Sequence, residues 1–155
     1  MTAPTTRARA RRARAPRPGP RWLLLCGVLL LCPTAARAET WRGKVVGVSD
    51  GDTIKVLRRG KPVRIRLHGI DCPEKAQPFG NRARQLTSRL VAGKRVRVEE
   101  VATDRYGRTV ARVFVGDESL GEALVKAGLA WWYRRYARRA KMLAFLQEEA
   151  RRARR

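Results

Sequence analysis

Three stretches carry residues that could do chemistry. The first is Asp50-Gly51-Asp52-Thr53. The second runs from Arg66 through Asp71-Cys72-Pro73-Glu74, with the arginine five positions before the first carboxylate. The third is Asp104-Arg105-Tyr106-Gly107-Arg108. Carboxylates at a strand end, with an arginine on the polar face of that strand, can hold a cation and a phosphate side by side. The carboxylate oxygens suit a hard cation and the guanidinium fork suits the phosphate. Each stretch alone also has a plainer reading. Asp50-Gly51 is the dipeptide of a type I′ hairpin turn. Asp71 to Glu74 reads equally as a turn after a surface strand, and Asp104 to Arg108 as a solvated loop. An EF-hand loop is excluded at Asp50, because the later ligands and the closing glutamate are absent. His68, the only histidine, reads as a surface or rim residue rather than a catalytic base.

The elements that must position these residues follow from periodicity. Val63, Ile65 and Leu67 alternate with Arg64, Arg66 and His68, the pattern of a half-buried strand. Gly69 breaks the alternation and predicts a bulge or bend that re-aims the side chains after it. Upstream, Trp41 to Val48 and Thr53 to Leu57 read as a hairpin around Asp50-Gly51, and Arg59-Gly60-Lys61-Pro62 as the turn into the central strand. Phe79 to Val91 reads as a helix with Phe79, Ala83, Leu86 and Leu90 on its apolar stripe and Gly93 as its stop. Lys94 to Val101 and Thr109 to Val115 read as two more strands. Asp117, Glu118 and Ser119 open a short helix to Lys126, ended by Gly128. An aromatic run, Trp131 to Tyr136, is expected to bury its tryptophans and leave Tyr136 for contact. Ala137 to Arg155 reads as a basic amphipathic helix with Leu143, Leu146 and Ala150 inward. Five strands with a helix between the third and fourth is the layout of an OB-type barrel. The predicted class is therefore α+β, a five-stranded OB-type β-barrel with three helices.

Charge narrows the partner. The 155 residues carry a formal +23, and residues 1–38 contain eight arginines and no acid. Residues 39–155 retain a net +15, which predicts a polyanionic partner, nucleic acid or an acidic membrane surface. Residues 1–38 read as an export signal: a basic stretch from Arg7 to Arg21, an apolar core from Trp22 to Cys32, and a small-residue cleavage pattern at Ala36-Arg37-Ala38. Cleavage after Ala38 would deliver residues 39–155 to the periplasm or the medium, with no stable membrane association. The apolar run is short for a spanning helix, and an uncleaved anchor is the alternative. The mature chain would keep one cysteine, Cys72, which excludes an intrachain disulfide.

Taken in this order and spacing, Asp50-Gly51-Asp52-Thr53, Arg66 with Asp71, Pro73-Glu74 and Asp104-Arg-Tyr-Gly-Arg108 closely resemble the staphylococcal nuclease (thermonuclease) family. Leu124-Val125-Lys126-Ala127-Gly128-Leu129-Ala130 matches a further family segment, so that the resemblance covers roughly residues 41–150. It implies an OB-type barrel, calcium dependence, and endonucleolytic cleavage of DNA and RNA leaving 3′-phosphate ends. Single-stranded or unpaired regions would be favoured, and the protein would act as a monomer. By position, the resemblance implies Asp52 and Asp71 as carboxylate ligands of Ca2+ and the backbone carbonyl of Cys72 as a third oxygen. Asp50 and Thr53 are implied as supporting residues. Arg66 and Arg108 would be the catalytic arginines and Glu74 the residue that activates or orients water. Arg105, Tyr106 and Tyr136 would contact the nucleotide. Two positions depart from the family pattern: Cys72 replaces a threonine, and Arg134 replaces a tyrosine near the end of the bound nucleotide. A non-catalytic nucleic-acid-binding barrel is the alternative reading, and the presence of Asp52, Arg66, Asp71, Glu74 and Arg108 together argues against it.

Overall fold

A computed structural model describes residues 39–155; the expected signal segment, residues 1–38, lies outside the described residues. Strands β1 (Thr40–Asp50), β2 (Thr53–Arg58) and β3 (Lys61–Leu67) form an antiparallel meander. A two-residue strand, β4 (Ile70–Asp71), and helix α1 (Gly80–Val91) follow. Strand β5 (Arg95–Thr103) then pairs with the free edge of β1, and β6 (Thr109–Val115) pairs with β5. The sheet closes because β6 also runs parallel to β3, with Ile65 opposite Thr109 and Leu67 opposite Ala111. The result is the expected five-stranded barrel. Closure satisfies the backbone groups that an open edge would leave exposed. Strand alternation fills the interior with Val45, Ile54, Val56, Ile65, Val96, Val98 and Val113, all buried. Strand β1 curves around this core through register shifts at Val45/Gly47 and Val48/Asp50.

The remaining elements cap the barrel. Strand β7 (Glu118–Ser119) extends β6 and leads into α2 (Leu120–Lys126), where the Ser119 hydroxyl accepts from the Glu122 N–H at 3.4 Å. Strand β8 (Trp131–Trp132) pairs antiparallel with β4, and α3 (Lys141–Arg152) packs on α2. Leu124 and Val125 of α2 and Leu143 and Leu146 of α3 join the same core as Ile70 and Cys72.

Four local expectations are corrected. The turn at Asp50-Gly51 is not type I′, which needs positive φ at both central residues. Neither Gly51 nor Asp52 has one. Gly51 is instead required by close approach: a Cβ there would lie 2.8 Å from the Ala83 Cβ and 2.9 Å from the Cys72 Sγ. Phe79 is not on the buried stripe of α1, which consists of Gly80, Ala83, Thr87 and Val91. Gly80 packs so tightly against the Glu74 carbonyl that a Cβ there would collide with it. The helix therefore starts after Phe79, whose φ of 66° turns its ring outward. The last helix begins at Lys141 rather than Ala137. The Ala137 carbonyl, which a helix would offer to residue 141, instead accepts from the Trp132 indole at 2.9 Å and the Ala140 N–H at 3.0 Å. Finally, strand pairing sends the two tryptophans to opposite faces. Trp132 packs on the core and Trp131 is 43% exposed.

Candidate functional site

Asp52 is the lowest layer of the site. It sits in the two-residue link between β1 and β2 and is only 2% exposed. Burial of a carboxylate demands partners, and it has them. Its Oδ1 accepts from the Thr53 hydroxyl at 3.0 Å and from Arg66 Nη1 at 2.5 Å, and its Oδ2 accepts from the Cys72 N–H at 3.0 Å. Its backbone carbonyl accepts from the Leu67 N–H at 2.8 Å. One residue thus ties the β1–β2 hairpin to the ends of β3 and β4. Thr53 lies directly opposite Arg66 in the β2–β3 register, which brings the arginine to the Asp52 carboxylate. Thr87 of α1 donates to the Gly51 carbonyl at 2.6 Å and fixes the hairpin from below.

Arg66 closes the next layer. Its second terminal nitrogen pairs with Asp71, so one guanidinium fork spans both aspartates. Asp71 reaches this place because Gly69, with φ of 79°, bends the chain out of β3 and the short β4 pairs with β8, Asp71 opposite Trp131. Burial pushes the Asp52 carboxyl up from its ordinary range. The Arg66 charge and the hydrogen bonds from Cys72 and Thr53 oppose that shift, and the Asp71 charge adds to it. Burial, with the Asp52 charge next, also pushes the Cys72 thiol far above the ordinary range of a cysteine, so the buried sulfur stays protonated and inert.

Above these layers opens a cleft of about 1140 Å³. It is larger than the usual small-molecule pocket and suits a polymer. Arg66, Asp71, Glu74 and Arg108 all line it, as do Arg105, Tyr106 and Tyr136. Glu74 is exposed, on a loop closed by its own N–H donating to Gln77 Oε1 and its carbonyl accepting from the Gln77 N–H, both at 2.8 Å. Arg108 is held from the opposite wall. Asp104 Oδ1 accepts the backbone N–H groups of Tyr106 and Arg108 at 2.9 Å each, and Oδ2 accepts Arg108 Nε at 2.7 Å. Burial works to raise the Asp104 carboxyl, but these hydrogen bonds prevail and hold it below the usual carboxylate range. Because Asp104 takes Nε, the two terminal nitrogens of Arg108 have no hydrogen-bond partner among the described residues. Arg105 and Arg108 both stack on the Tyr106 ring, at 4.8 Å and 5.5 Å from its centre.

The sequence-derived residues therefore divide by depth. Asp52, Thr53 and Cys72 are buried below the cleft; Arg66, Asp71, Glu74, Arg105, Tyr106, Arg108 and Tyr136 face it; Asp50, half-buried at the end of β1, does not line it. Sequence reasoning missed Tyr133 and Arg135, which also line the cleft. Tyr133 meets Tyr136 edge to face at 4.9 Å, and its N–H donates to the Gly69 carbonyl at 2.9 Å. The three-residue spacing of the two tyrosines in the aromatic run was the available signal.

The donor set can be tested against a metal. Asp52 and Asp71 bring two carboxylates within the span of one guanidinium, which places hard oxygen donors close together, with the Cys72 backbone next in the chain. No group of three or more His, Cys, Asp or Glu side chains is placed to cage an ion among the described residues. The donors that are present, two carboxylates and a backbone carbonyl, are hard oxygens, which suit an oxygen-preferring cation better than zinc, which prefers nitrogen and sulfur.

Comparison with known proteins points in one direction. The family model described as staphylococcal nuclease homologue matches residues 64–155. The chain is 46% identical over 134 residues to Protein ParB of Escherichia coli, covering 79% of this chain and 75% of that protein. It is 45% identical over 114 residues to a protein of Escherichia coli named uncharacterized endonuclease, covering 73% and 74%. To the micrococcal nuclease of Shigella flexneri it is 40% identical over 138 residues, covering 82% and 78%.

Proposed function

The chain belongs to the staphylococcal nuclease family, and from that premise we propose that this nuclease is a calcium-dependent endonuclease that cleaves DNA and RNA to 3′-phosphate ends. The observation that carries the reading is the convergence of Arg66, Asp71, Glu74 and Arg108 on one open cleft, over the buried carboxylate of Asp52. Hydrolysis at phosphorus gathers negative charge on the equatorial oxygens. The open fork of Arg108 offers two parallel donors to those oxygens, and Arg66 supplies a second fixed positive charge. Glu74, exposed at the cleft, accepts a proton from the attacking water. A new phosphorus–oxygen bond forms as the bond to the 5′ oxygen breaks, and the departing oxygen takes a proton from solvent in the open cleft, which leaves a 5′ hydroxyl and the phosphate on the 3′ side. Calcium held by Asp52, Asp71 and the Cys72 carbonyl would, when bound, add positive charge at the same phosphate. Asp50 and Thr53 support the Asp52 loop, and Arg105, Tyr106 and Tyr136 contact the flanking nucleotides.

Supporting this reading, the net +15 of residues 39–155 favours any nucleic-acid backbone. The exposed tyrosines of the cleft favour unstacked bases, hence single-stranded or unpaired regions. Residues 39–155 would be the nuclease domain, acting as a monomer in the periplasm or the medium after removal of residues 1–38. No helix among the described residues is long and apolar enough to cross a membrane.

Glu74→Gln tests the assignment. It keeps shape and removes the carboxylate, so affinity for a nuclease-resistant oligonucleotide should change little, while cleavage should fall by about 10²-fold or more. A mutant that cuts as fast as wild type would refute the role of Glu74. A wild type that binds but never cuts with calcium present would make the protein a binding module.

A further inference from the structure

A second cavity, of about 390 Å³, lies beside the cleft and shares Leu67 and His68 with it as a common wall. Nothing in the proposed chemistry uses it. Three basic side chains line it from separate elements: Arg112 from β6, Arg139 from the turns before α3, and Lys141 from the first position of α3. One carboxylate, Glu122, opposes them. Arg112 reaches only Glu99, at 4.0 Å, and its side chain is 57% exposed. Arg139 and Lys141 are exposed and have no carboxylate within ion-pair distance among the described residues. Uncompensated cations around a recess next to a phosphate-handling cleft call for an anion.

The form of the recess says which kind. The three cations are exposed at the recess rather than buried around one point, and the recess adjoins the cleft, with Leu67 and His68 lining both. A compact free anion would be served by a converging cage. A chain of phosphates is served by charges spaced along a path. Aromatic rings stand on the cleft side of the same wall, where Tyr136 lies edge to face with Tyr133, so bases and phosphates both find partners along one route. We propose that the second cavity is a flanking-phosphate subsite, in which Arg112, Arg139 and Lys141 hold the backbone of a nucleic-acid strand leaving the cleft past His68. The proposal rests on the nuclease reading and adds to it a length-dependent component of substrate binding.

The test is the triple variant Arg112→Gln, Arg139→Gln, Lys141→Gln, with its fold checked by thermal melting. Binding of a nuclease-resistant oligonucleotide about twelve nucleotides long, within the usual site size of such a barrel, is measured over a salt series. With three phosphate-binding cations removed, the slope of log affinity against log salt should become shallower by about 2. Cleavage of a single-diester substrate, the nitrophenyl ester of thymidine 5′-phosphate, should be unchanged, because that molecule does not reach the second cavity. A control variant, Arg89→Gln, Lys94→Gln, Arg95→Gln, removes three basic residues that line neither cavity and should keep the wild-type slope. An unchanged slope in the first variant, or an equal change in both, overturns the subsite while leaving ester cleavage and the nuclease reading intact. A wild type that neither binds the oligonucleotide nor cleaves the ester overturns the nuclease reading and the subsite together.

Discussion

Asp104 makes no contact with substrate in the proposed mechanism, yet its removal should cost activity because it holds Arg108. Its carboxylate accepts three hydrogen bonds, two from the backbone of the Asp104–Arg108 loop at 2.9 Å and one from Arg108 Nε at 2.7 Å. Asp104→Ala deletes all three. Water replaces much of their energy in so exposed a loop, so global stability should change little. The arginine, however, must then be ordered anew each time the transition state forms. Immobilising one long side chain costs about 0.5–1.5 kcal/mol, and the unfastened loop about as much again. A total of about 1–3 kcal/mol corresponds to a loss of about 5- to 150-fold in kcat. Asp104→Asn should fall between. Its carbonyl can still accept the two backbone N–H groups, but its NH2 faces the Nε donor, for a loss of about tenfold. The assay is steady-state cleavage of a short oligonucleotide by both variants, with thermal melts alongside. Wild-type kcat in folded Asp104→Ala would show that Arg108 needs no anchor, and would refute its role as a preset phosphate fork.

Two further substitutions probe the layers below the cleft. Gly51→Ala would force a methyl group to 2.8 Å from Ala83 and 2.9 Å from Cys72. It should destabilise the fold by about 1–3 kcal/mol and lower cleavage by shifting the Asp52 loop; a melt and an activity indistinguishable from wild type would contradict the close packing. Cys72 supplies its backbone N–H to Asp52 and keeps a buried, protonated sulfur. Cys72→Thr should therefore retain most activity, and the native enzyme should resist thiol-blocking reagents under folding conditions; rapid labelling with loss of cleavage would give the sulfur a part in the chemistry that its burial argues against.

Much of the architecture was legible because the barrel strands alternate cleanly. Ile54/Val56, Ile65/Leu67 and Val96/Val98 recur at period 2, and all six are buried. The site was legible as an ordered set of short motifs, since the carboxylates and arginines that converge lie at strand ends and in one loop. Local pattern could not show the competitions decided in three dimensions. The Ala137 carbonyl goes to the Trp132 indole instead of to a longer helix. Gly80 meets the Glu74 carbonyl, which displaces Phe79 from the helix face that its spacing suggested. Asp52 reads as a turn residue, and only the arrival of Arg66 and the Cys72 N–H makes its burial tolerable. The basic cavity behind His68 draws on β6 and α3, which are distant in sequence, so no motif announces it.

Calcium is the element on which the proposed chemistry depends most directly. Purified protein should convert supercoiled plasmid DNA to nicked and then linear and fragmented products when calcium is present, and the products should carry 3′-phosphates. Chelation should stop the reaction, calcium should restore it, and zinc should not, because Asp52, Asp71 and the Cys72 carbonyl offer only hard oxygens. Undiminished cleavage in excess chelator would contradict the metal assignment, and intact plasmid at saturating calcium would contradict the nuclease itself.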